Sequence, residues 1–273
     1  MQLLENKVAI ITGSARGIGH ATAELFAQHG AKVVMSDIDP GPLNDAAAVI
    51  QKSGGQVLAF PGDVTDPQFP DRLIKATLEK FSGLDIIVNN AGYTWDAVIH
   101  KMTDQQWQAI IDCHLTAPFR IIRAASSFIR DTAKKEQAEK GRARARKIIC
   151  ISSTSGTRGN AGQVNYSSGK SGVIGLAKTL AKEWGMFNVQ ANAVAFGWID
   201  TRLTHAKEEQ VKIKRENVEI ELGIPANNLQ VMSKMIPMGR SGTPHEAAGA
   251  VLFFASPLSD YVSGQVLEVA GGL

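Results

Sequence analysis

Tyr166 and Lys170 stand four residues apart in "NYSSGK", a spacing that puts two side chains on one face of a helix. A free phenol titrates at about 10, too high for a good base at neutral pH. A neighbouring ammonium favours the phenolate and lowers that value, so the pair can exchange a proton with a bound oxygen. Ser153, in "ISSTSG", offers a hydroxyl to hold that oxygen against Tyr166; Ser152 is the weaker choice. A fourth residue raises a question. His114, in "IIDCHLTAPF", has no carboxylate partner or metal-ligand spacing nearby, and by its surroundings alone it reads as helix packing.

A second group of residues is suited to phosphate. "TGSARGIG" carries Gly13, Ser14, Arg16, Gly17, Ile18 and Gly19 directly after an apolar strand and opens a helix. Glycine lets a phosphate approach the main chain, and the helix start aims N–H groups and a positive dipole end at it. In this context the loop predicts a dinucleotide. Asp37 ends the next strand, where a carboxylate accepts from ribose hydroxyls and repels a 2′-phosphate. That favours NAD over NADP, with Arg16 arguing the other way as a guanidinium able to pair with the extra phosphate. Asp63 and Val64 in "GDVTD" are placed to meet an adenine. Asn90, Ala91 and Gly92 in "NNAG" suit a crowded strand end beside a cofactor.

These residues need a frame that brings strand ends together. Residues 7–12, 31–36, 56–60, 84–89, 146–152, 188–195 and 264–270 read as strands, several apolar on both faces. Between them, 17–29, 42–53, 67–81, 103–135, 163–185 and 244–255 have helical periodicity. The alternation predicts an α/β fold, a doubly wound parallel sheet with helices on both faces (a Rossmann fold) in one domain. The 273 residues, 44% hydrophobic and 20% charged, fit that size and class. A net charge of +3 and two cysteines demand neither nucleic acid, metal nor disulfide chemistry. No signal-like start and no long apolar run is present, so a cytoplasmic setting without membrane attachment is expected. Two stretches exceed the frame: a charged insertion at 134–147, read as a solvated helix end and loop, and a long segment at 202–239, read as a substrate lid.

Together, "TGSARGIG", "NNAG", the Ser–Tyr–Lys set and "GQVLEVAGG" resemble the short-chain dehydrogenase/reductase family over essentially the whole chain, closest in look to 3-oxoacyl-thioester reductases. The resemblance implies hydride transfer between a nicotinamide and a secondary alcohol or ketone, with Tyr166 as acid/base. It implies Lys170 as the group that holds the nicotinamide ribose and relays the proton, and Ser153 as the residue that orients the substrate. Gly197, Ile199 and Thr201 in "GWIDT" match positions near the carboxamide. A homotetramer or homodimer through the long helices of 103–135 and 163–185 is implied as well.

The chain departs from the family pattern at three places. Phe196 replaces the proline before Gly197, Ala270 replaces an aspartate, and His114 stands where the family carries its fourth catalytic residue, an asparagine. Pro118 lacks the N–H that would bond the His114 carbonyl, so that carbonyl is left to hold a relay water. On this reading His114 belongs to the catalytic set, and asparagine there should serve nearly as well. Tyr93, Trp95, Phe196 and Trp198 are expected to line a pocket for a hydrophobic or extended substrate, and Trp107 to be core. Two other classes of function compete: a dinucleotide-binding protein without turnover, and a nucleic-acid binder using 134–147.

Overall fold

The computed structural model describes residues 2–205, 212–215, 218–221, 223–224, 231 and 233–273. In chain order the elements are β1 (Val8–Thr12), α1 (Gly17–Gln28), β2 (Lys32–Ser36), α2 (Pro40–Lys52), β3 (Gln56–Ala59), α3 (Phe69–Phe81) and β4 (Ile86–Asn89). Then come α4 (Asp104–Ile111), α5 (Ala117–Lys140), β5 (Arg146–Ser153), α6 (Thr154–Arg158), α7 (Val164–Trp184) and β6 (Val189–Phe196). The last are β7 (Lys212–Arg215), β8 (Val218–Glu221), α8 (Pro244–Ala255) and β9 (Val266–Val269).

Seven strands form one parallel sheet in the order β3-β2-β1-β4-β5-β6-β9. The order reverses between β1 and β4, which opens a crevice at their C-terminal ends, where such sheets bind ligands. β1, β4 and β6 are buried along their whole length because helices cover both faces. One core joins the sheet to α1, α2 and α8 through Phe26, Leu43 and Val251; the other joins it to α3, α5 and α7 through Leu73, Ile121 and Val173. The fold class read from the sequence holds, and all seven expected strands are present.

Two expectations change and a third is refined. The single helix of 103–135 is two helices, α4 and α5, joined by a π-turn over Asp112–Thr116 in which the Ala117 N–H bonds the Asp112 carbonyl. The 134–147 stretch is the mostly exposed helix end and loop expected, but it is anchored rather than free. It continues α5 to Lys140 and closes on a partly buried ion cluster: Arg146, 1% exposed, donates to both Glu136 carboxylate oxygens at 3.0 Å, while Arg144 donates from Nε to Oε1 at 3.0 Å and from its backbone N–H to Oε2 at 2.9 Å. Burial of a cation requires such a partner. Trp107 is 38% exposed on α4 rather than core. Much of the 202–239 segment lies outside the described residues. Its described part includes the antiparallel pair β7–β8, whose Ile213 and Ile220 are buried in the α5-side core. Among the described residues no helix is long and apolar enough to cross a membrane.

Candidate active site

The glycine loop between β1 and α1 is built for close approach. Gly13 and Gly17 have φ of +64° and +57°, and a Cβ on Gly13 would lie 2.7 Å from the Ala91 Cα. Asn90 ties the loop down, its Nδ2 donating to the Thr12 and Gly13 carbonyls at 2.9 Å each. α1 starts at Gly17 with no side-chain cap and no acidic residue in its first turn. Its first N–H groups therefore remain available to an anion, with no acidic side chain in that turn to oppose one.

This loop forms one wall of a cleft of about 520 Å³ at the β1/β4 switch point, lined also by Asp37, Asp63, Val64, Asn90, Ala91 and Gly92. Ile18, Gly19, Arg16 and Thr201 reach it too. Asp37 accepts from the Ala15 N–H at 3.0 Å and the Asp39 N–H at 3.2 Å, which orients its carboxylate at the end of β2. The Arg16 guanidinium is paired with Asp39 at 2.9 Å. Asp63 accepts from the Thr65 N–H at 2.8 Å and closes the turn after β3. The cleft fits a dinucleotide: glycine at the anion end, an uncapped helix start, and a carboxylate at the ribose end.

Some expected residues stand elsewhere. The Ser14 hydroxyl is buried between β1 and β2, donating to the Ile11 carbonyl at 2.9 Å and accepting from the Ser36 N–H at 3.0 Å. Gly197 packs against Ala270, where a Cβ would meet a Cβ at 2.8 Å, and Ile199 is buried in the α1-side core. Phe196 also lies in that core, so it does not line the cleft. Strand alternation sends it to the same face as Val194. Trp198 is half-buried outside the described lining, while Tyr93 and Trp95 are part of it. The sequence reading missed Gln105, Gln108 and Asp112, which line the cleft from α4 and the π-turn. Their three- and four-residue spacing on one helical face was the available signal.

Ser153, Tyr166 and Lys170 do not line the cleft themselves; the His114 ring lies between its Gly92 wall and Tyr166. Ser153 ends β5 and caps α6, its Oγ accepting from the Ser155 N–H at 3.1 Å. That bond uses an oxygen lone pair and leaves the hydroxyl proton to be donated. The Ser153 hydroxyl is near enough to Tyr166 to favour its ionised form. The Lys170 Nζ lies 5.6 Å from the Tyr166 ring centroid and donates to the Ile151 carbonyl at 2.7 Å. Burial pushes the Tyr166 phenol up to about 12, and the Ser153 hydroxyl only partly offsets it. Lys170 is not among the groups that shift Tyr166, so the lowering expected from it is not seen. Burial also brings Lys170 down to about 8. His114 is 3% exposed between Tyr93 and Tyr166, and burial, reinforced by the Lys170 charge, holds it well below its usual value. At neutral pH the site holds a protonated phenol, an ammonium and a neutral imidazole.

A family model described as enoyl-(acyl carrier protein) reductase matches residues 13–273. The chain belongs to the short-chain dehydrogenase/reductase family. It is an oxidoreductase of that family. It is 39% identical to a 3-oxoacyl-(acyl-carrier-protein) reductase of Synechocystis, across 100% of this chain and 99% of that one. It is 37% identical to the enzyme of that name, FabG, from Vibrio cholerae, across 99% and 98% of the two chains. To the Escherichia coli FabG it is 36% identical, across 98% of each. Among the described residues no group of three or more His, Cys, Asp or Glu could hold a metal ion.

Proposed function

We propose that the protein is an NAD(H)-dependent ketoreductase that interconverts a secondary alcohol and its ketone. Within that class a 3-oxoacyl/3-hydroxyacyl thioester is favoured over a steroid-like or cyclic alcohol by the names of the relatives. The observation that carries the reading is Tyr166 with the buried Lys170 ammonium 5.6 Å from its ring and the Ser153 hydroxyl beside it, in a chain that also has the glycine-lined cleft. Two neighbouring hydroxyl groups able to donate suit an oxygen that gains negative charge, as a carbonyl does on reduction. They suit a carbon–carbon double bond less, because there the proton must reach carbon.

The bound nicotinamide supplies the hydride in reduction and accepts it in oxidation. Gly13, Gly17 and the first N–H groups of α1 would hold its diphosphate, and Asp37 the ribose hydroxyls. Ser153 orients the substrate carbonyl. Tyr166 gives its proton to the carbonyl oxygen as the hydride reaches the carbon, which a phenol kept protonated by burial is ready to do. Lys170 compensates the charge left on Tyr166 and hands on a proton. Pro118 denies the His114 carbonyl its i+4 donor, and a carbonyl left free there would hold the water at the end of that path. Tyr93 and Trp95 form the substrate wall. Arg16, already neutralised by Asp39, gives a 2′-phosphate little to bind, which supports NAD over NADP.

A homotetramer or homodimer through α4–α5 and α7 accompanies this reading; exposed Trp107 and Phe119 on the first pair favour it. A panel of ketones and 3-oxoacyl thioesters with NADH and NADPH tests the whole. Turnover with NADH that is lost in Tyr166→Phe is expected. Cofactor binding without turnover would favour a binding protein instead. A clear NADPH preference would overturn the role given to Asp37.

A further inference from the structure

The His114 imidazole is more tightly specified than a helix side chain needs to be. Its Nε2 lies 2.7 Å from the Tyr93 carbonyl oxygen and 3.3 Å from the Tyr93 nitrogen. A carbonyl only accepts, so the shorter contact requires the proton on Nε2, and a protonated Nε2 cannot also accept from the Tyr93 N–H. Nδ1 is then a bare acceptor, and it is buried without a partner. A second proton there would create an unsatisfied cation near Lys170. The ring meets Tyr166 edge-on, with centroids 5.0 Å apart and planes at 82°. Glycine makes the room for it: a Cβ on Gly92 would lie 2.2 Å from the imidazole Cε1, and one on Gly169 would lie 3.0 Å from the His114 Cβ.

We propose that His114 is a positioning residue for Tyr166, its neutral imidazole setting the spacing between the Gly92–Tyr93 wall of the cleft and the phenol that gives the proton. The inference rests on the role of Tyr166 proposed above and adds what the side chain, as distinct from the His114 carbonyl, contributes. Reach then decides which substitutions work. Asparagine carries its amide nitrogen about 1 Å closer to the backbone than imidazole Nε2, whereas glutamine carries it about as far. A 2.7 Å bond lengthened by that amount is no longer a hydrogen bond. Glutamine is therefore the conservative replacement here, which reverses the expectation that asparagine, the family's residue, would serve nearly as well.

The test is steady-state reduction of an acetoacetyl thioester with NADH by the full chain carrying His114→Gln, His114→Asn or His114→Ala. His114→Gln should keep kcat within about threefold, while the other two lose about tenfold or more with KM for NADH little changed. A His114→Asn enzyme equal to or better than His114→Gln overturns the proposal, as does wild-type kcat in all three. Nitrogen NMR of the histidine-labelled wild type reads the same bond without turnover. A protonated Nε2 and bare Nδ1 between about pH 6 and 8 are expected. The opposite tautomer, or titration in that range, overturns the proposal. A wild type that turns over neither this thioester nor any ketone of the panel counts against the ketoreductase reading, and the nitrogen spectrum then decides the His114 bond by itself.

Discussion

Tyr166 and Lys170 respond to the same burial with opposite consequences for chemistry. The phenol, pushed up to about 12, is held as the acid that carbonyl reduction needs. The ammonium, brought down to about 8, is held charged at neutral pH by a narrow margin. Reductive kcat should therefore fall as pH rises through about 8, where Lys170 deprotonates, a profile measurable with NADH at saturating substrate. The same shift makes a stability prediction. Lys170 binds its proton more weakly folded than unfolded, so the unfolded chain holds more protons between about 8 and 10.5, and stability rises with pH across that window. Lys170→Met should abolish turnover yet raise the melting temperature at pH 7, since about 3 kcal/mol of buried-charge cost is removed. A melting temperature that falls would show that the bond to the Ile151 carbonyl outweighs the burial.

At the scale of elements, the π-turn between α4 and α5 matters most. Pro118 sits in the second position of α5 and gives no N–H to the His114 carbonyl. Pro118→Ala restores that donor and relaxes the break, so the helix should gain stability while the His114 carbonyl loses its freedom to hold water. A several-fold drop in kcat with an unchanged or higher melting temperature is expected; unchanged kcat would remove the carbonyl from the proton path. The proline was legible in the sequence and so was the break. The π geometry was not, because it depends on how α7 approaches: Gly169 and Gly172 let that helix come within reach of His114 and Leu115. α6 was also invisible beforehand, being five residues long and set by the Ser153 cap.

Across the whole molecule, the Glu136–Arg144–Arg146 cluster joins the end of α5 to the start of β5. Glu136, hydrogen-bonded by Arg146 and Arg144 against the opposing cost of burial, is lowered to about 2. Its folded value lies below its unfolded one, so its contribution is present above about 4.5 and fades as pH falls toward about 2. Glu136→Gln should lower stability at pH 7 by about 3 kcal/mol, leaving Arg146 buried without its anion. The difference from wild type should shrink in denaturant titrations at acid pH. A constant difference across that range would mean packing, not charge, is what the variant loses.

The sequence by itself determined the parallel sheet, the glycine loop at its switch point, Asp37 at the end of β2 and the Ser–Tyr–Lys set. Each of these is a local pattern: apolar runs of strand length, glycines after a strand, two side chains four apart on a helix. Tertiary structure decided what depends on neighbours far along the chain. It turned Phe196 into core and Ser14 into a brace between strands, it anchored the exposed 134–147 stretch through the buried Glu136–Arg146 pair, and it set Tyr166 above rather than below its ordinary value. Residue type and spacing name the groups that can carry a proton. Burial and the partners met in three dimensions decide which form each group takes, because desolvation and hydrogen bonding act over a few ångströms of space, not over positions in sequence.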